Sequence, residues 1–285
     1  MKWLATFLKG MAMGAADVVP GVSGGTVALI AGIYAALIDS IRAFDLELVG
    51  LLLKGRIQAC WQKVNGNFLL PLVAGIACSL FSLAKVISLA LEQYPTHLYA
   101  FFIGLILASA VLLLRDIHQW RGALIASLLL GALLMLGISE LRPMDITPSP
   151  IALFSAGAIA ICAMILPGIS GSFLLLIMGV YPFVLTAVHE FEITNLAIFA
   201  SGCAVGLLSF VRLLSWLLLR YRDLLMSCLI GVLFASLKVL WPWQPSVSPN
   251  APPPADLAVD MASLLAGILI VVAIHFWAGR KSGQS

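Results

Sequence analysis

Residues 16–34 read ADVVPGVSGGTVALIAGIY, and residues 163–181 read AMILPGISGSFLLLIMGVY. Nine of the nineteen aligned positions are identical, and both stretches contain the motif Pro-Gly-x-Ser-Gly. Proline removes a backbone donor and disrupts a helix, whereas glycine permits backbone conformations that other residues avoid. The motifs therefore predict breaks in two helical segments, around residues 20–25 and 167–172. We call these two stretches the first and the second breaker.

The composition around the breakers is that of a membrane protein. Hydrophobic residues make up 62% of the 285-residue chain and charged residues 10%, and the mean hydropathy is +1.09. A soluble domain has about 25% charged residues. Apolar runs recur near the roughly 20 residues that a helix needs to cross a bilayer. We expect an all-α polytopic membrane protein.

Several partner classes are excluded by the same composition. The net charge of +3 is small, which argues against nucleic acid as a partner. The five cysteines are widely spaced and form no CxxC or Cys/His pattern, so neither a disulfide framework nor a metal site is predicted. We expect no cofactor.

Six stretches predict ordinary spanning helices, and two longer ones predict broken segments. The stretch 42–67 mixes basic residues with an apolar run and predicts an amphipathic interfacial helix on the cytoplasmic side. The broken segments are 3–41 and 150–189, each too long for one span. The ordinary spans are 68–91, 97–115, 122–139, 195–219, 223–240 and 259–279.

The distribution of Lys and Arg sets the predicted topology. If each broken segment enters and leaves on one side, nearly all basic residues outside the spans face the cytoplasm, and only Arg142 faces outward. If each broken segment crosses once, both ends of the chain place their basic residues outside. The first arrangement fits the rule, so we expect a bacterial inner-membrane protein with both termini cytoplasmic. The charge distribution does not distinguish a re-entrant hairpin from two tight full spans, because both return the chain to the side of the membrane from which it entered.

The halves 1–140 and 150–285 each hold one broken segment followed by three spans. Three is an odd number, so the second half is expected to be inverted relative to the first. Inverted repeats whose broken helices meet near the midplane are typical of secondary transporters.

The breakers predict an anion site. Unpaired backbone N–H groups, the positive ends of restarting helices and the Ser23 and Ser170 hydroxyls suit a phosphate group. A purely structural kink is the alternative, but two copies in opposite orientation favour a substrate site. The candidate phosphate-binding residues are Pro20, Gly21, Ser23, Gly24, Gly25, Thr26, Pro167, Gly168, Ser170, Gly171 and Ser172.

Charged residues within the apolar segments form a second set of candidates, because charges in a membrane are costly and usually functional. Arg212 is the best candidate to neutralise a buried anion, since its guanidinium suits phosphate. Asp17 could carry a proton or pair with a cation, while breaker carbonyls could equally coordinate sodium. Lys85 and Lys238 could contribute charge or simply reach the interface.

Two Gly-x-x-x-Gly spacings, Gly10/Gly14 and Gly202/Gly206, predict close helix packing. That packing could lie within the chain or between the subunits of a homodimer.

The segments ADVVPGVSGGT and ILPGISGS resemble those of the bacterial PopT family over essentially the whole chain. The resemblance implies a flippase that returns polyprenyl phosphate, chiefly undecaprenyl phosphate, to the cytoplasmic leaflet for peptidoglycan and other envelope polymers. The family motif falls on Pro20–Thr26 and on Pro167–Gly171, and Ser172 and Phe173 stand where the first copy has Gly25 and Thr26.

Two other functions fit parts of the pattern. An ion-coupled transporter of a small soluble anion would share the architecture, and a sealed vestibule would favour it over a lipid transporter. An intramembrane enzyme would need a nucleophile with a nearby base. No histidine lies close in sequence to either breaker, so we expect a transporter and no enzyme.

Overall fold

The computed structural model describes residues 2–19, 22–117, 119–141, 149–241 and 257–282. These residues form helices and no strand, which confirms the all-α prediction. The helices are α1 (Lys2–Val18), α2 (Gly24–Ile30), α3 (Tyr34–Arg42), α4 (Leu46–Leu53), α5 (Ile57–Lys63), α6 (Gly66–Ser82), α7 (Ala84–Gln93), α8 (Pro95–Arg115), α9 (Gly122–Ser139), α10 (Pro150–Ile165), α11 (Gly171–Ile177), α12 (Tyr181–His189), α13 (Ile193–Arg220), α14 (Arg222–Val239) and α15 (Leu257–Ser282).

Among the described residues, three helices are long and apolar enough to cross a membrane: α8, α9 and α13. Up to six spans result if each sharply bent helix pair counts as one. The bends measure 119° between α2 and α3, 71° between α5 and α6, and 108° between α11 and α12. Helices α14 and α15 lie at two further predicted spans, 223–240 and 259–279. The chain is therefore a multi-span membrane protein.

Two predicted helices are divided in the structure. The predicted span 68–91 is interrupted at Leu83, between the end of α6 and the start of α7. The single interfacial helix predicted over 42–67 is instead two short helices, α4 and α5. They are separated by Gly55, whose φ of 67° lies in the left-handed region that favours glycine.

Each broken segment is interrupted twice. The first interruption is the breaker, which separates α1 from α2 and α10 from α11. The second falls at Gly32 and Gly179, which are aligned in the repeat and have φ values of 68° and 70°. Beyond them, α3 and α12 begin at the aligned residues Tyr34 and Tyr181. The repeat in sequence is thus also a repeat of helix bounds.

The chain folds into two compact units. The first comprises Met1–Leu83 and Glu140–Arg222, and the second comprises Ala84–Ser139 and Asp223–Ser285. Each unit draws on both halves of the sequence, so the units do not coincide with the predicted halves 1–140 and 150–285. Both broken segments belong to the first unit.

Glycines allow close helix packing inside each unit. In the first unit, a Cβ added at Gly10 would lie 2.1 Å from the Leu72 carbonyl oxygen, so α1 approaches α6 backbone to backbone. A Cβ at Gly202 would lie 2.0 Å from the Phe154 oxygen, which places α13 equally close to α10. The close packing predicted from the Gly-x-x-x-Gly spacings is therefore found within the chain. In the second unit, Gly104 and Gly267 allow α8 and α15 to pack with their backbones equally close.

Candidate functional site

The two breakers contact each other within the first compact unit. The Ser23 hydroxyl donates a hydrogen bond of 2.8 Å to the Met164 carbonyl oxygen. The Gly168 amide donates one of 2.9 Å to Thr26 Oγ1. Both bonds run from one copy of the repeat to the other, so the structure brings together the two motifs that the sequence predicted to form one site.

In the first breaker, the polar groups are already paired inside the protein. Ser23 precedes α2 in an extended conformation, and its Oγ accepts a hydrogen bond of 3.1 Å from the Gly25 amide. The Gly24 amide donates to Asp17 Oδ1 at 2.7 Å. The Thr26 amide donates to the Ser23 carbonyl oxygen at 2.9 Å. Most donors that were expected to bind a phosphate in this copy therefore have an internal acceptor.

The glycines of the first breaker are required by close approach. A Cβ at Gly25 would lie 2.4 Å from the Ile165 carbonyl oxygen, at the end of α10. A Cβ at Gly24 would lie 2.6 Å from Asp17 Oδ2. A side chain at Gly25 would meet the backbone at the end of α10, and one at Gly24 would displace the Asp17 carboxylate, so the start of α2 lies close to both α1 and α10.

The second breaker leaves more of its polar groups available. Gly168 has a φ of 86°, and Ser170 precedes α11 without making a side-chain cap. The Ser170 hydroxyl instead pairs with the Ser172 hydroxyl at 2.9 Å. In the described part of the chain, no residue accepts a hydrogen bond from the amides of Gly171 and Ser172. Met164 stands where the first copy has Asp17, so no carboxylate caps this turn.

A cavity of about 200 Å³ lies at the meeting point of the breakers. Its polar lining comes from Asp17, Ser23, Ser170 and Ser172, and the rest is mainly apolar and comes from α10, α11 and α13. Ligand pockets for drug-sized molecules measure roughly 300–1,000 Å³. The cavity therefore suits a headgroup rather than a whole lipid.

The remaining predicted site residues lie elsewhere. Arg212 is on α13, but its side chain is exposed and does not line the cavity. Cys203 does line it, about 13 Å earlier along the same helix at 1.5 Å per residue. Lys85 and Lys238 belong to the second compact unit. Pro20 and Gly21 lie outside the described residues, and Pro167 with Gly168 forms the turn between α10 and α11.

Two basic residues that the sequence placed among the cytoplasmic charges make contacts inside the first unit. Lys9 Nζ donates a hydrogen bond of 2.6 Å to the Ala31 carbonyl oxygen, at the C-terminal end of α2. Arg42 Nη1 donates one of 3.0 Å to the Ser215 hydroxyl and so joins α3 to α13. The sequence did contain a signal for the contact of Lys9, because this residue lies in an apolar helix about two turns before Asp17. The described residues contain no group of His, Cys, Asp and Glu side chains that could hold a metal ion.

A model of the VCA0040-like, undecaprenyl phosphate translocase-like family matches residues 13–252, which include both breakers and the cavity. The chain belongs to this family. The resemblance seen in the two motifs is thereby confirmed, over most of the chain and not only at the breakers.

Two relatives give the family context. A protein of Vibrio cholerae serotype O1 (strain ATCC 39315 / El Tor Inaba N16961) named polyprenyl-phosphate transporter is 48% identical over 87% of this chain and 80% of its own length. A protein of Staphylococcus aureus (strain NCTC 8325 / PS 47) with the same name is 32% identical over 86% of this chain and 88% of its own length. Both names describe a transporter and not an enzyme. No solved structure matches the chain.

Proposed function

We propose that this protein returns undecaprenyl phosphate from the outer to the cytoplasmic leaflet of the bacterial inner membrane, where the lipid serves envelope polymers such as peptidoglycan. The family and its named relatives support polyprenyl phosphate as the substrate. The observation that carries the proposal is the small cavity at which the two breakers meet, because it offers polar groups for one headgroup inside an apolar segment.

The second breaker supplies the headgroup contacts in this proposal. Ser170 and Ser172 present two hydroxyls to the cavity, and the adjacent amides of Gly171 and Ser172 can donate as well. Hydrogen bonds to a charged partner contribute about 1.5–3 kcal/mol each. The isoprenoid chain is as apolar as the bilayer, so it stays among the lipid tails while the phosphate crosses.

Transport then follows from alternating exposure of the cavity. We propose that the two broken segments are re-entrant hairpins of opposite orientation, with both chain termini in the cytoplasm. The matching helix bounds of α2–α3 and α11–α12 support a repeat. In transporters of this kind, one repeat rocks against the other around a fixed site. The Ser23–Met164 and Thr26–Gly168 bonds join the two repeats, so they are the bonds that such a movement exchanges.

The proposal is tested with purified protein in liposomes that contain undecaprenyl [³²P]phosphate. An added phosphatase releases label only from the outer leaflet, so active protein exposes the inner-leaflet pool as well. We expect the Ser170→Ala/Ser172→Ala double variant to lower the rate by at least about tenfold, because each lost hydrogen bond to the charged phosphate contributes about 1.5–3 kcal/mol.

The matched control for that experiment is Ser201→Ala on α13. Ser201 is exposed, and its hydroxyl donates a hydrogen bond to the Ile198 carbonyl oxygen of its own helix. Its rate should equal that of the unmodified protein. Full activity in the double variant would contradict the assignment of the headgroup site. Uptake of inorganic [³²P]phosphate without movement of the lipid would favour a soluble anion as the substrate.

A further inference from the structure

Asp17 is a carboxylate inside the cavity that the headgroup is proposed to occupy. One of its oxygens accepts the Gly24 amide at 2.7 Å, and its side chain lines the cavity together with the hydroxyls of Ser170 and Ser172. Carboxylates within membrane segments are costly and are generally paired or functional. Asp17 therefore requires an explanation beyond the cap that it gives α2.

No cation faces Asp17 from the described elements around it. Helices α2 and α11 contain no titratable side chain, and α6 and α10 contribute one cysteine each. Helix α13 brings Cys203 to the cavity, while its Arg212 is exposed and does not line it. Lys9, on the same helix as Asp17, bonds to the Ala31 carbonyl oxygen.

A phosphate in this cavity would meet an ionised carboxylate without a compensating positive charge. Like charges at close range in a half-buried, mainly apolar site repel, and such pairs favour taking up a proton over staying doubly ionised. Binding of the phosphate and ionisation of Asp17 are therefore mutually exclusive to a large degree.

We propose that Asp17 binds one proton whenever the cavity binds a phosphate monoester, so that a proton accompanies each lipid phosphate across the membrane. This inference rests on the proposed function. The proton comes from water on the side to which the cavity is open, and no covalent bond to the phosphate forms or breaks. The protonated carboxyl keeps an oxygen for the Gly24 amide and gains an O–H that can donate to a phosphate oxygen. Both proton and phosphate leave on the other side.

The decisive measurement is the number of protons taken up on binding. Titration calorimetry of the purified protein with farnesyl phosphate, in two buffers of different ionisation enthalpy at pH 8, gives that number directly. At this pH a phosphate monoester is fully ionised, since its second pKa is about 6. We expect about one proton per farnesyl phosphate, and an affinity that falls by up to about tenfold per pH unit above pH 8.

The variant Asp17→Asn tests the charge of the carboxylate independently of the rest of the site. Asparagine is neutral, has the same shape and can still accept from the Gly24 amide. We expect it to bind farnesyl phosphate with proton uptake near zero and with little dependence on pH. Asp39→Asn is the matched control, because Asp39 lies on α3 with an exposed side chain outside the cavity lining. It should keep the proton uptake of the unmodified protein.

Each outcome of this experiment bears on the proposal. Equal proton uptake in Asp17→Asn and the unmodified protein would place the proton on the phosphate and overturn the role of Asp17. A requirement for NaCl in place of KCl, with no proton uptake, would assign the coupling to sodium and overturn it too. If Asp17→Asn fails to fold, a pH-independent affinity of the unmodified protein would overturn it without a variant. Absence of farnesyl phosphate binding in every protein would reject the proposed function itself, and equal binding of inorganic phosphate would point to a soluble anion.

Discussion

The two breakers share their motif and their helix bounds, but they differ in what their polar groups do. In the first copy, Asp17 and Ser23 bind the amides that begin α2. In the second copy, Met164 replaces the carboxylate, and Ser170 turns to Ser172. In the first copy, most polar groups are therefore paired within the protein. In the second copy, hydroxyls and amides remain available to the cavity.

The largest effect is expected from Gly25→Ser, which gives the first breaker the residue that the second has at this position. The added Cβ would lie 2.4 Å from the Ile165 carbonyl oxygen, so α2 must move away from α10. Overpacking of this kind costs on the order of 3 kcal/mol. Thermal unfolding of the purified protein and the liposome assay should both show the loss. The reverse change, Ser172→Gly, adds no atoms and should leave the melting temperature within a few degrees. Equal stability of the two variants would remove the distinction between the copies.

The next effect concerns Met164→Asp, which gives the second breaker the carboxylate of the first. A carboxylate beside Gly171 should bind the free amides and compete with the phosphate, because a Cβ at Gly171 would already lie 2.5 Å from Met164 Cγ. We expect transport at pH 8 to fall by about 10–100-fold, which corresponds to about 1.4–2.7 kcal/mol. Met164→Asn is the neutral control and should transport several times faster. If both variants are equally slow, the size of the residue and not its charge is responsible.

A smaller effect is expected from Thr26→Val, which removes the acceptor of the Gly168 amide without changing the shape of the side chain. A buried donor left without a partner costs about 1–3 kcal/mol. The measurement is the thermal stability of the purified protein. Thr186→Val on α12 is the control, since its side chain is exposed. An unchanged stability for Thr26→Val would show that the bond between the repeats contributes little.

The smallest effect lies in the segment that follows the first breaker, where α4 and α5 have no counterpart after the second. Lys63 Nζ lies 2.9 Å from Asp45 Oδ1, and hydrogen bonds from Lys63 and from the Leu48 amide lower the pKa of Asp45. A lowered carboxyl pKa stabilises the fold above the ordinary range of Asp and loses that contribution as the pH falls through the lowered value. Asp45→Asn should therefore reduce stability slightly at pH 7 and by a smaller amount at pH 3. The melting temperature at the two pH values measures this.

Much of the fold could be predicted from the sequence, because the signals were local. Pro-Gly motifs fix the positions of the breaks, and long apolar runs predict α8, α9 and α13 within a few residues. The second interruption in each segment was missed, although Gly32 and Gly179 were aligned and identical. A single glycine in an apolar helix is common, and only the left-handed backbone reveals its role. The division at Leu83 has no marker in sequence.

The site was predicted less completely because its contacts are distant in the chain. The motifs indicated that amides become available at each breaker, but the acceptors in the first copy are Asp17, seven residues away, and the Ser23 side chain. The Met164 carbonyl that receives the Ser23 hydroxyl carries no side-chain signal at all. Arg212 was chosen because its guanidinium suits phosphate, but whether its side chain reaches the cavity depends on how α13 packs against α10.

The Ser23–Met164 bond also has a consequence for the biosynthesis of the protein. Its two residues are 141 positions apart. At a synthesis rate of about 5–20 residues per second, the acceptor follows the donor by roughly 7–28 s. A seven-residue helix is too short to be stable by itself, and α2 packs against both α1 and α10. While only the first repeat has been made, α2 is held by α1 and by the Asp17 carboxylate, and its contact with α10 forms when the second repeat arrives.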